Sequence, residues 1–328
     1  MAGYLAVVNQ LIASATARIP NAVLYGENIN TGSHLCGMTR NLTVPPGGRI
    51  LNVGNCEPTH CGLGFGLMLS GLTSVLFMKQ LDFTVLGMDH LISTYHVIRA
   101  HRRLDAMGSF TICVIVCDQG FQGPQSSFNA LGDLCSQARV PGYTLTNQQD
   151  AAHVLERQLN APGFRFVALS QRLFPTECLM PDLVYASEDS SVFQYSTGEE
   201  ATIACFNFSL PEGLALQATL LARGVTSSLF SVNHVPAHDW GKITQSAAQT
   251  RRLIVMDDSK SGYSPAYELL HEVTRACPGA RGVAVTRGAE VDFGVSPEAF
   301  QVDADAICSQ LGVGKAAAGL RASLSVAR

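Results

Sequence analysis

Residues 50–71 have the sequence ILNVGNCEPTHCGLGFGLMLSG, and SVLFM follows at 74–78. The apolar run at 50–54 is long enough for a short buried strand. A glycine-rich helix is predicted from about Pro58, because proline suits the first turn of a helix. The run at 74–78 then forms the next strand. A strand, a helix and a second strand in this order are typical of a unit of parallel strands joined by a crossover helix.

The same alternation continues on both sides. In the first half, strands are predicted at 22–26, 113–117, 143–146 and 164–169, and helices at 4–18, 82–103 and 148–159. In the second half, strands are predicted at 201–208, 227–232, 252–256 and 282–286, and helices at 211–223, 241–250 and 263–275. The uninterrupted apolar run at 113–117 is typical of a central parallel strand. The pattern predicts an α/β fold with mostly parallel sheets.

The periodicity fades between residues 174 and 200, where two prolines and a SerGluAspSerSer cluster occur. We therefore predict two α/β domains, at 1–175 and 201–312, with a linker at 176–200 and an Ala-rich tail at 313–328. A chain of 328 residues is long enough to form two ordinary hydrophobic cores.

Composition excludes several classes of protein. The chain is 47% hydrophobic and 15% charged, with 22 Lys and Arg against 26 Asp and Glu. Disordered, coiled-coil and collagen-like structures are therefore excluded, and non-specific nucleic-acid binding is disfavoured. A chain with so few charges is expected to cover part of its surface with a partner.

Membrane and metal sites are not expected either. Residues 58–78 carry no formal charge and have the length of a membrane span, but their glycines and the SerGlyLeuThrSer break predict a packed helix and a buried strand. The N-terminal residues lack the basic segment of a signal peptide. None of the ten cysteines forms a C-x-x-C pair, so we expect buried thiols, no zinc site and a soluble cytoplasmic protein.

Two features carry potential chemistry. Glu57 stands at the predicted start of the glycine-rich helix, where an acid commonly does no more than interact with the helix dipole. A carboxyl group in so apolar a setting nevertheless favours its protonated form, which suits sharing a proton with a nitrogen heterocycle. The second feature is the loop DQGFQGPQSS at 118–127, which leaves the end of a central strand, where open α/β sheets bind ligands. The GLGFG stretch lacks the spacing of a dinucleotide site, and we find no Walker A or G-x-S-x-G motif.

Several segments together resemble a known family. EPTHCGLGFGLMLSG (57–71) resembles the segment around the invariant glutamate in β subunits of two-subunit thiamine-diphosphate enzymes of the 2-oxoacid dehydrogenase E1 type. LYGEN (24–28) resembles the family's GED strand end, and FMKQLDFTVLGMDHLI (77–92) resembles its aromatic-Asp-aromatic stretch and DQI helix. QGPQSS (122–127) resembles its GPQHSQ loop, and RLIVMDDSKSGY (252–263) resembles its VVHEAPRTGGFG segment. The segments occur in the family's order between about 24 and 300.

The resemblance implies a pyrimidine-binding domain followed by a transketolase C-terminal-like domain. Glu57 would hydrogen-bond N1′ of the aminopyrimidine of thiamine diphosphate. Phe83 would cover the pyrimidine face; the alternative is that it is an ordinary aromatic residue of the core. Gln80 and Asp82 would be further cofactor contacts. The family's diphosphate and Mg²⁺ motif, Gly-Asp-Gly with a downstream Asn, is absent, and Gly132-Asp133-Leu is the nearest sequence. We therefore expect a separate α subunit to hold the diphosphate and Mg²⁺, in an α2β2 heterotetramer.

The chain also departs from the family pattern. The family's loop histidine falls on Ser126, which does not titrate near neutral pH, and Gln122 and Gln125 complete the expected substrate loop. Gln80 stands where many relatives have an aromatic residue. His60 lies one helical turn after Glu57, so we predict that it takes over proton transfer, with a purely structural histidine as the alternative.

The expected function is that of an enzyme subunit. We predict a β subunit of a thiamine-diphosphate enzyme that decarboxylates a small 2-oxoacid and transfers the bound unit to an acceptor. Ser126 favours an aldehyde acceptor, and thus carboligation, over a lipoyl carrier. The alternatives are a transketolase split into two chains, which transfers a ketol unit, and a non-catalytic scaffold subunit.

Overall fold

The computed structural model describes residues 2–120, 122–123, 126–235, 239–262, 264–287 and 300–313. The helices in this part of the chain are α1 (Tyr4–Thr16), α2 (Glu57–Leu69), α3 (Tyr95–His101), α4 (Leu131–Ala138), α5 (Gln148–Gln158), α6 (Leu210–Ala222), α7 (Gly241–Thr250), α8 (Pro265–Ala276) and α9 (Ala304–Leu311). The strands are β1 (Val23–Gly26), β2 (Arg49–Asn52), β3 (Thr73–Met78), β4 (Ser109–Val116), β5 (Gly142–Leu145), β6 (Gly163–Ser170), β7 (Tyr185–Ala186), β8 (Val192–Ser196), β9 (Ala201–Phe206), β10 (Ser227–Val232), β11 (His234–Val235), β12 (Arg252–Asp257) and β13 (Arg281–Thr286).

The first sheet has seven strands in the order β11-β5-β6-β4-β3-β1-β2. All neighbouring pairs are parallel except β11 with β5. Parallel strands end at the same edge of a sheet, so the segments that follow β1, β2, β3 and β4 lie together at one edge. The residues singled out in the sequence belong to these segments or to the first turn of α2.

The second sheet has six strands in the order β13-β12-β9-β10-β8-β7. β13, β12, β9 and β10 are parallel, and β8 and β7 extend the sheet by antiparallel pairing. The segment predicted as a linker, 176–200, therefore contains two strands of this sheet. The predicted α/β class, with two mostly parallel sheets and interleaved helices, is confirmed.

Alternation along the strands distributes side chains between separate apolar clusters. Val75 and Phe77 of β3 face a cluster that joins both sheets, whereas Leu76 and Met78 face one that packs against α2 and α4. Every residue of β4 and β6 is buried, as expected for central parallel strands. A third cluster fills the outer face of the second sheet.

One local prediction was wrong, and two helices were not predicted. The segment predicted as one long helix, 82–103, consists of a 3₁₀ stretch over Leu81–Gly87, a π-helical turn over His90–Thr94, and α3. Gly87 is close to α2, since a Cβ there would lie 2.5 Å from Cys61 Sγ, so packing fixes the backbone at this point. α4 and α9 were not predicted. Asp303 caps the start of α9, because its carboxylate accepts from the amides of Asp305 and Ala306.

The two sheets are also connected by polar contacts. β11 comes from the chain after β10 of the second sheet, yet it pairs with β5 of the first. Asp150, fully buried in α5, accepts from Asn233 Nδ2 at 2.8 Å and from Thr146 and Asn147 next to its own helix. Tyr195 of β8 accepts from Asn147 Nδ2 at 2.7 Å. The contact between the two units is therefore a hydrogen-bonded one as well as an apolar one.

Candidate functional site

Glu57 is the first residue of α2 and follows directly on the turn after β2. Its side chain is buried, with 8% of the residue exposed, and Pro58 follows it in the first helical turn. With the Asn55 amide oriented so that its nitrogen faces the carboxylate, Asn55 Nδ2 lies 3.2 Å from both Glu57 oxygens. The structure thus holds one carboxyl group at an apolar helix start, with an amide donor beside it.

Glu57 opens onto a cavity of about 580 Å³, called here the large cavity. This volume lies within the range typical of small-molecule sites. The residues that line it come from four segments: Asn55 and Glu57; Asp82, Phe83, Val85 and Leu86; Ser127, Phe128, Asn129, Ala130 and Asp133; and Lys260. Apolar side chains form much of the lining, and the charged groups are three carboxyls and one ammonium. A flat ring with a polar edge fits this chemistry.

Asp82 has one satisfied and one unsatisfied oxygen. Its Oδ1 accepts from the backbone amides of Ser127 at 3.3 Å and Phe128 at 3.2 Å. Its Oδ2 is buried and has no hydrogen-bond partner among the described residues. Burial raises the pKa of Asp82, against the opposing effects of these amides and of the Lys260 charge. An unpaired buried acceptor on the cavity wall is a place where a ligand N–H group can bind.

Phe83 is half-buried and lies between two cavities. It lines the large cavity and also a smaller one of about 70 Å³, called here the small cavity. Glu57 lines both as well, while His60 lines the small cavity alone. The structure therefore brings Glu57, Asp82 and Phe83 together on the large cavity and places His60 behind Glu57.

His60 is buried and fixed by a hydrogen bond. Its Nε2 lies 2.7 Å from the carbonyl oxygen of Gly54, so this nitrogen carries the hydrogen and donates. Tyr25 Oη donates to the backbone oxygen of His60 at 2.8 Å. Only Nδ1 is then left to accept a proton.

The other predicted residues lie around the loop. Gln80 Nε2 donates to Ser126 Oγ at 2.9 Å, so these two uncharged side chains form a pair beside Asp82. Gln122 Nε2 donates to Gln171 Oε1 at 3.3 Å and is not among the residues that line either cavity. Gln125 lies outside the described residues.

The two buried thiols near this site, Cys61 and Cys117, are disfavoured as nucleophiles. Burial, with a contribution from the Glu57 charge, raises the pKa of Cys61 to about 12. Burial also raises the pKa of Cys117, at the end of β4, to about 12. Both thiols therefore remain protonated near neutral pH and are poor nucleophiles.

Among the lining residues that were not predicted from the sequence, four carry an amide or a charged side chain. Asn55 precedes Glu57 by two positions, and Asp133 belongs to the sequence that was judged a poor match to the Mg²⁺ motif. Asn129 follows the predicted loop, and Lys260 belongs to the C-terminal segment that resembled VVHEAPRTGGFG. A charged residue inside that resemblance was the available signal for Lys260.

In the described ranges, no group of three or more His, Cys, Asp or Glu side chains is arranged to hold a metal ion. No helix in that part of the chain combines the length and the apolar character needed to cross a bilayer.

Comparison with known proteins finds similarity to β subunits of the pyruvate dehydrogenase E1 component. No protein-family model matches the chain. It is 21% identical over 252 residues to the chloroplastic pyruvate dehydrogenase E1 component subunit beta-2 of Arabidopsis thaliana, covering 74% of this chain and 60% of that protein. It is 20% identical over 280 residues to the mitochondrial pyruvate dehydrogenase E1 component subunit beta of Chaetomium thermophilum, covering 80% of this chain and 70% of that protein. The chain resembles an E1 β subunit.

Solved structures agree on the fold of this E1 β-like chain. A split gene transketolase, solved as an inactive β4 tetramer, superimposes with a TM-score of 0.70 at 14% identity, covering 95% of this chain and 98% of that one. A transketolase from Campylobacter jejuni superimposes with a TM-score of 0.65 at 10% identity, covering 95% of this chain and 45% of that one. The resemblance recognised in the sequence is thus confirmed. The chain matches only about 60% of the length of the Arabidopsis relative, and the roles of individual residues stay predictions.

Proposed function

We propose that this chain is the β subunit of a cytoplasmic thiamine-diphosphate enzyme and supplies the pyrimidine side of a cofactor site shared with a separate α subunit. The observation that carries the proposal is Glu57, a buried carboxyl group at the start of α2 that faces a cavity of about 580 Å³. Similarity to E1 β subunits supports the same reading.

The residues of the large cavity fit the pyrimidine half of this cofactor. When bound, thiamine diphosphate supplies a carbon nucleophile and an electron sink. Glu57 would hold a proton at N1′, and Asn55 would orient the Glu57 carboxylate. Asp82 Oδ2, buried and unpaired among the described residues, would accept from the pyrimidine amino group. Phe83 would cover one face of the ring and exclude water from it.

The exposed rim of the cavity supports a partner chain. Val85 and Leu86, which line the cavity, are 52% and 59% exposed. Apolar side chains at the mouth of a ligand site favour a covering surface. An α subunit that carries the diphosphate and Mg²⁺ motif would provide it, and we propose an α2β2 heterotetramer.

The first test uses cofactor binding and turnover in the assembled complex. The chain is purified alone and together with a candidate α polypeptide that contains Gly-Asp-Gly and a downstream Asn, and both samples are titrated with thiamine diphosphate. Binding is expected in the complex only. Glu57→Gln should lower kcat about 100-fold or more, because a positioned acid–base group contributes that much.

The matched control is Glu156→Gln, the same substitution at an exposed position of α5. It should leave kcat unchanged. If Glu57→Gln retains wild-type turnover in the complex, Glu57 does not act as proposed. If no α candidate restores cofactor binding, the scaffold alternative is favoured instead.

For the reaction, we propose decarboxylation of a 2-oxoacid followed by transfer of the bound unit to an aldehyde. Ser126, bonded to Gln80 at 2.9 Å, offers a fixed neutral hydrogen bond where E1 relatives are expected to have a titrating histidine. His60 would move protons through Nδ1, because its Nε2 donates to Gly54 O. His60→Gln keeps an N–H donor for Gly54 but has no ring nitrogen that can accept a proton, so it should lower kcat about 100-fold. A kcat equal to that of wild type and of the exposed control His271→Ala would show this role to be wrong.

Ketol transfer is the second candidate reaction. It is favoured by the match to split gene transketolase, of which this chain covers 98%, against 60% of the Arabidopsis E1 β subunit. Supplying the complex with a 2-oxoacid or a ketose phosphate as donor, with one aldehyde acceptor, distinguishes the two. Carbon dioxide is released only from the 2-oxoacid.

A further inference from the structure

Residues 126–130 form one wall of the large cavity and are called here the wall segment. Four of them, from Ser127 to Ala130, line the cavity. On the side of the first domain, Asp82 Oδ1 accepts from the Ser127 and Phe128 amides. The position of this wall therefore affects the shape of the site.

The second domain holds the same wall from the opposite side. Asn129 Nδ2 donates to the backbone oxygen of Asp258 at 2.8 Å, and Lys260 N donates to the backbone oxygen of Asn129 at 2.7 Å. Asn207 Nδ2 donates to Asn129 Oδ1 at 2.9 Å. Asn129 and Asp258 are completely buried, and Asn207 is 6% exposed. Hydrogen bonds so shielded from water are costly to break.

Asp258 is itself fixed by charged and backbone donors. Its Oδ1 accepts from Asn207 Nδ2 at 2.9 Å and from the Phe208 amide at 2.8 Å. Its Oδ2 accepts from Arg172 Nη2 at 2.8 Å. The Arg172 amide donates to Asp118 Oδ1 at 2.9 Å, and Asp118 lies two residues after the end of β4. The support behind the wall therefore consists of buried hydrogen bonds, several of them strengthened by charge.

Asn207 adds a side-chain connection between the wall and this support, beside the direct contacts of Asn129 with Asp258 and Lys260. Its single amide nitrogen donates to both Asn129 Oδ1 and Asp258 Oδ1. Its backbone is left-handed, with φ of 57°, a conformation that asparagine tolerates better than most residues. Asn207 is not among the residues that line the large cavity, so it acts on the site through Asn129 and through Asp258, which also contacts Asn129.

We propose that Asn207, a residue of the second domain, is a positioning residue that fixes the wall segment of the catalytic cavity. Its effect on catalysis rests on the proposed function of that cavity, whereas its effect on the wall does not. The second domain then contributes to the site by immobilising one of its walls as well as by supplying Lys260.

The test begins with hydrogen–deuterium exchange of the full-length chain. Asn207→Gly removes the side chain without straining the left-handed backbone. Amide exchange in the wall segment should accelerate about tenfold, as expected when buried hydrogen bonds are lost. Exchange in peptides from β6 should stay within about twofold of wild type, because a local opening does not expose that strand.

The matched control is Asn41→Gly, which makes the same change at an exposed asparagine with φ of 57°. Exchange in the wall segment should not respond to it. Asn207→Asp is a second variant, because aspartate tolerates the same backbone but presents no N–H group to Asn129. The proposal is overturned if wall exchange in both Asn207 variants stays within twofold of wild type, or rises equally in β6.

Catalysis provides an independent readout in the assembled complex. Asn207→Gly should lower kcat/KM about tenfold while the Kd of thiamine diphosphate stays within about threefold. Glu57, Asp82 and Phe83 lie on other segments, and the wall contacts Asp82 through Oδ1, not through the Oδ2 proposed to bind the pyrimidine. Accelerated exchange with unchanged kinetics would show that the wall does not position substrate, and would overturn the catalytic part. Absence of activity in the wild-type complex would instead contradict the proposed function, and the exchange result would still decide the role of Asn207.

Discussion

Replacing Gly64 by alanine should disturb the helix that carries Glu57. Gly64 lies on the buried face of α2, and a Cβ there would be 2.3 Å from two carbon atoms of the Phe110 ring. Phe110 is completely buried and packs against two other rings, with its ring centroid 5.1 Å from that of Phe65 and 4.9 Å from that of Phe164, so its displacement would disturb the aromatic cluster. The helix itself must therefore shift, and Glu57, two turns earlier on α2, must shift with it.

The size of the effect follows from two opposing contributions. Overpacking of a well-filled core costs about 1–3 kcal/mol, and a shift of roughly 1 Å against a fully buried ring belongs at the upper end. Alanine in place of glycine within a helix stabilises by about 1 kcal/mol. The free energy of unfolding of Gly64→Ala should therefore fall by about 2 kcal/mol.

Gly66→Ala is the matched control on the same helix. Gly66 is exposed, and a Cβ there would have no atom within 4 Å. Only the higher helix propensity of alanine then changes the free energy of unfolding. Its free energy of unfolding should rise by about 1 kcal/mol. Urea unfolding of the isolated chain, followed by far-ultraviolet circular dichroism, should thus separate the two variants by about 3 kcal/mol. Equal stability of the two variants would refute the packing argument.

Three further predictions concern titrating groups. Cys56 should be alkylated fastest among the cysteines, because it is exposed and its hydrogen bond to Thr59 lowers its pKa. Burial raises the pKa of Cys113 to about 12, so mass spectrometry that finds Cys113 labelled first would contradict this prediction. Burial, followed by the charge of Asp258, raises the pKa of Asp118 to about 6. Asp118 therefore binds a proton more readily in the folded wild type than in the unfolded chain, and the wild type gains stability as pH falls from 7 towards 4. The stability of Asp118→Asn relative to wild type should increase from pH 5 to 7. A constant difference between their urea midpoints would contradict this prediction. Asp150→Ala should lower the free energy of unfolding by about 3 kcal/mol, because it leaves several buried donors unpaired. A loss below about 1 kcal/mol in urea titration would show that the hydrogen bonds of Asp150 contribute little.

The regular elements were predictable where local pattern and tertiary packing agree. β10 is observed with its predicted bounds, 227–232, and all six of its residues, three of them serines, are buried. α5 begins where predicted, since the side chain of Asn147 caps it and Asp150 completes a capping box. The prediction of one helix over 82–103 was wrong because the backbone there depends on the close approach of Gly87 to α2. The spacing of apolar residues in the sequence gives no indication of that contact.

The candidate site was predictable only in part, for a similar reason. Glu57 and Phe83 follow two strands, β2 and β3, of one parallel sheet. Because parallel strands end at the same edge of a sheet, residues that follow them are expected to lie close together. Asn129 and Lys260 are 131 positions apart, and their contact depends on how the second domain packs on the first. Asn207 carried no signal at all, because its importance comes from two hydrogen bonds that exist only after both domains have folded.

The pairing of β11 with β5 has a consequence for synthesis of the chain on the ribosome. Residues 142–145 are complete long before His234 and Val235 emerge, so the nascent N-terminal unit has an open edge for about 90 residues of elongation. At typical translation rates that interval lasts roughly 5–20 s, long enough for neighbouring nascent chains on one messenger to meet. Truncated products that end before β11 should therefore be prone to aggregate, and chaperone binding during translation should be strongest in this window.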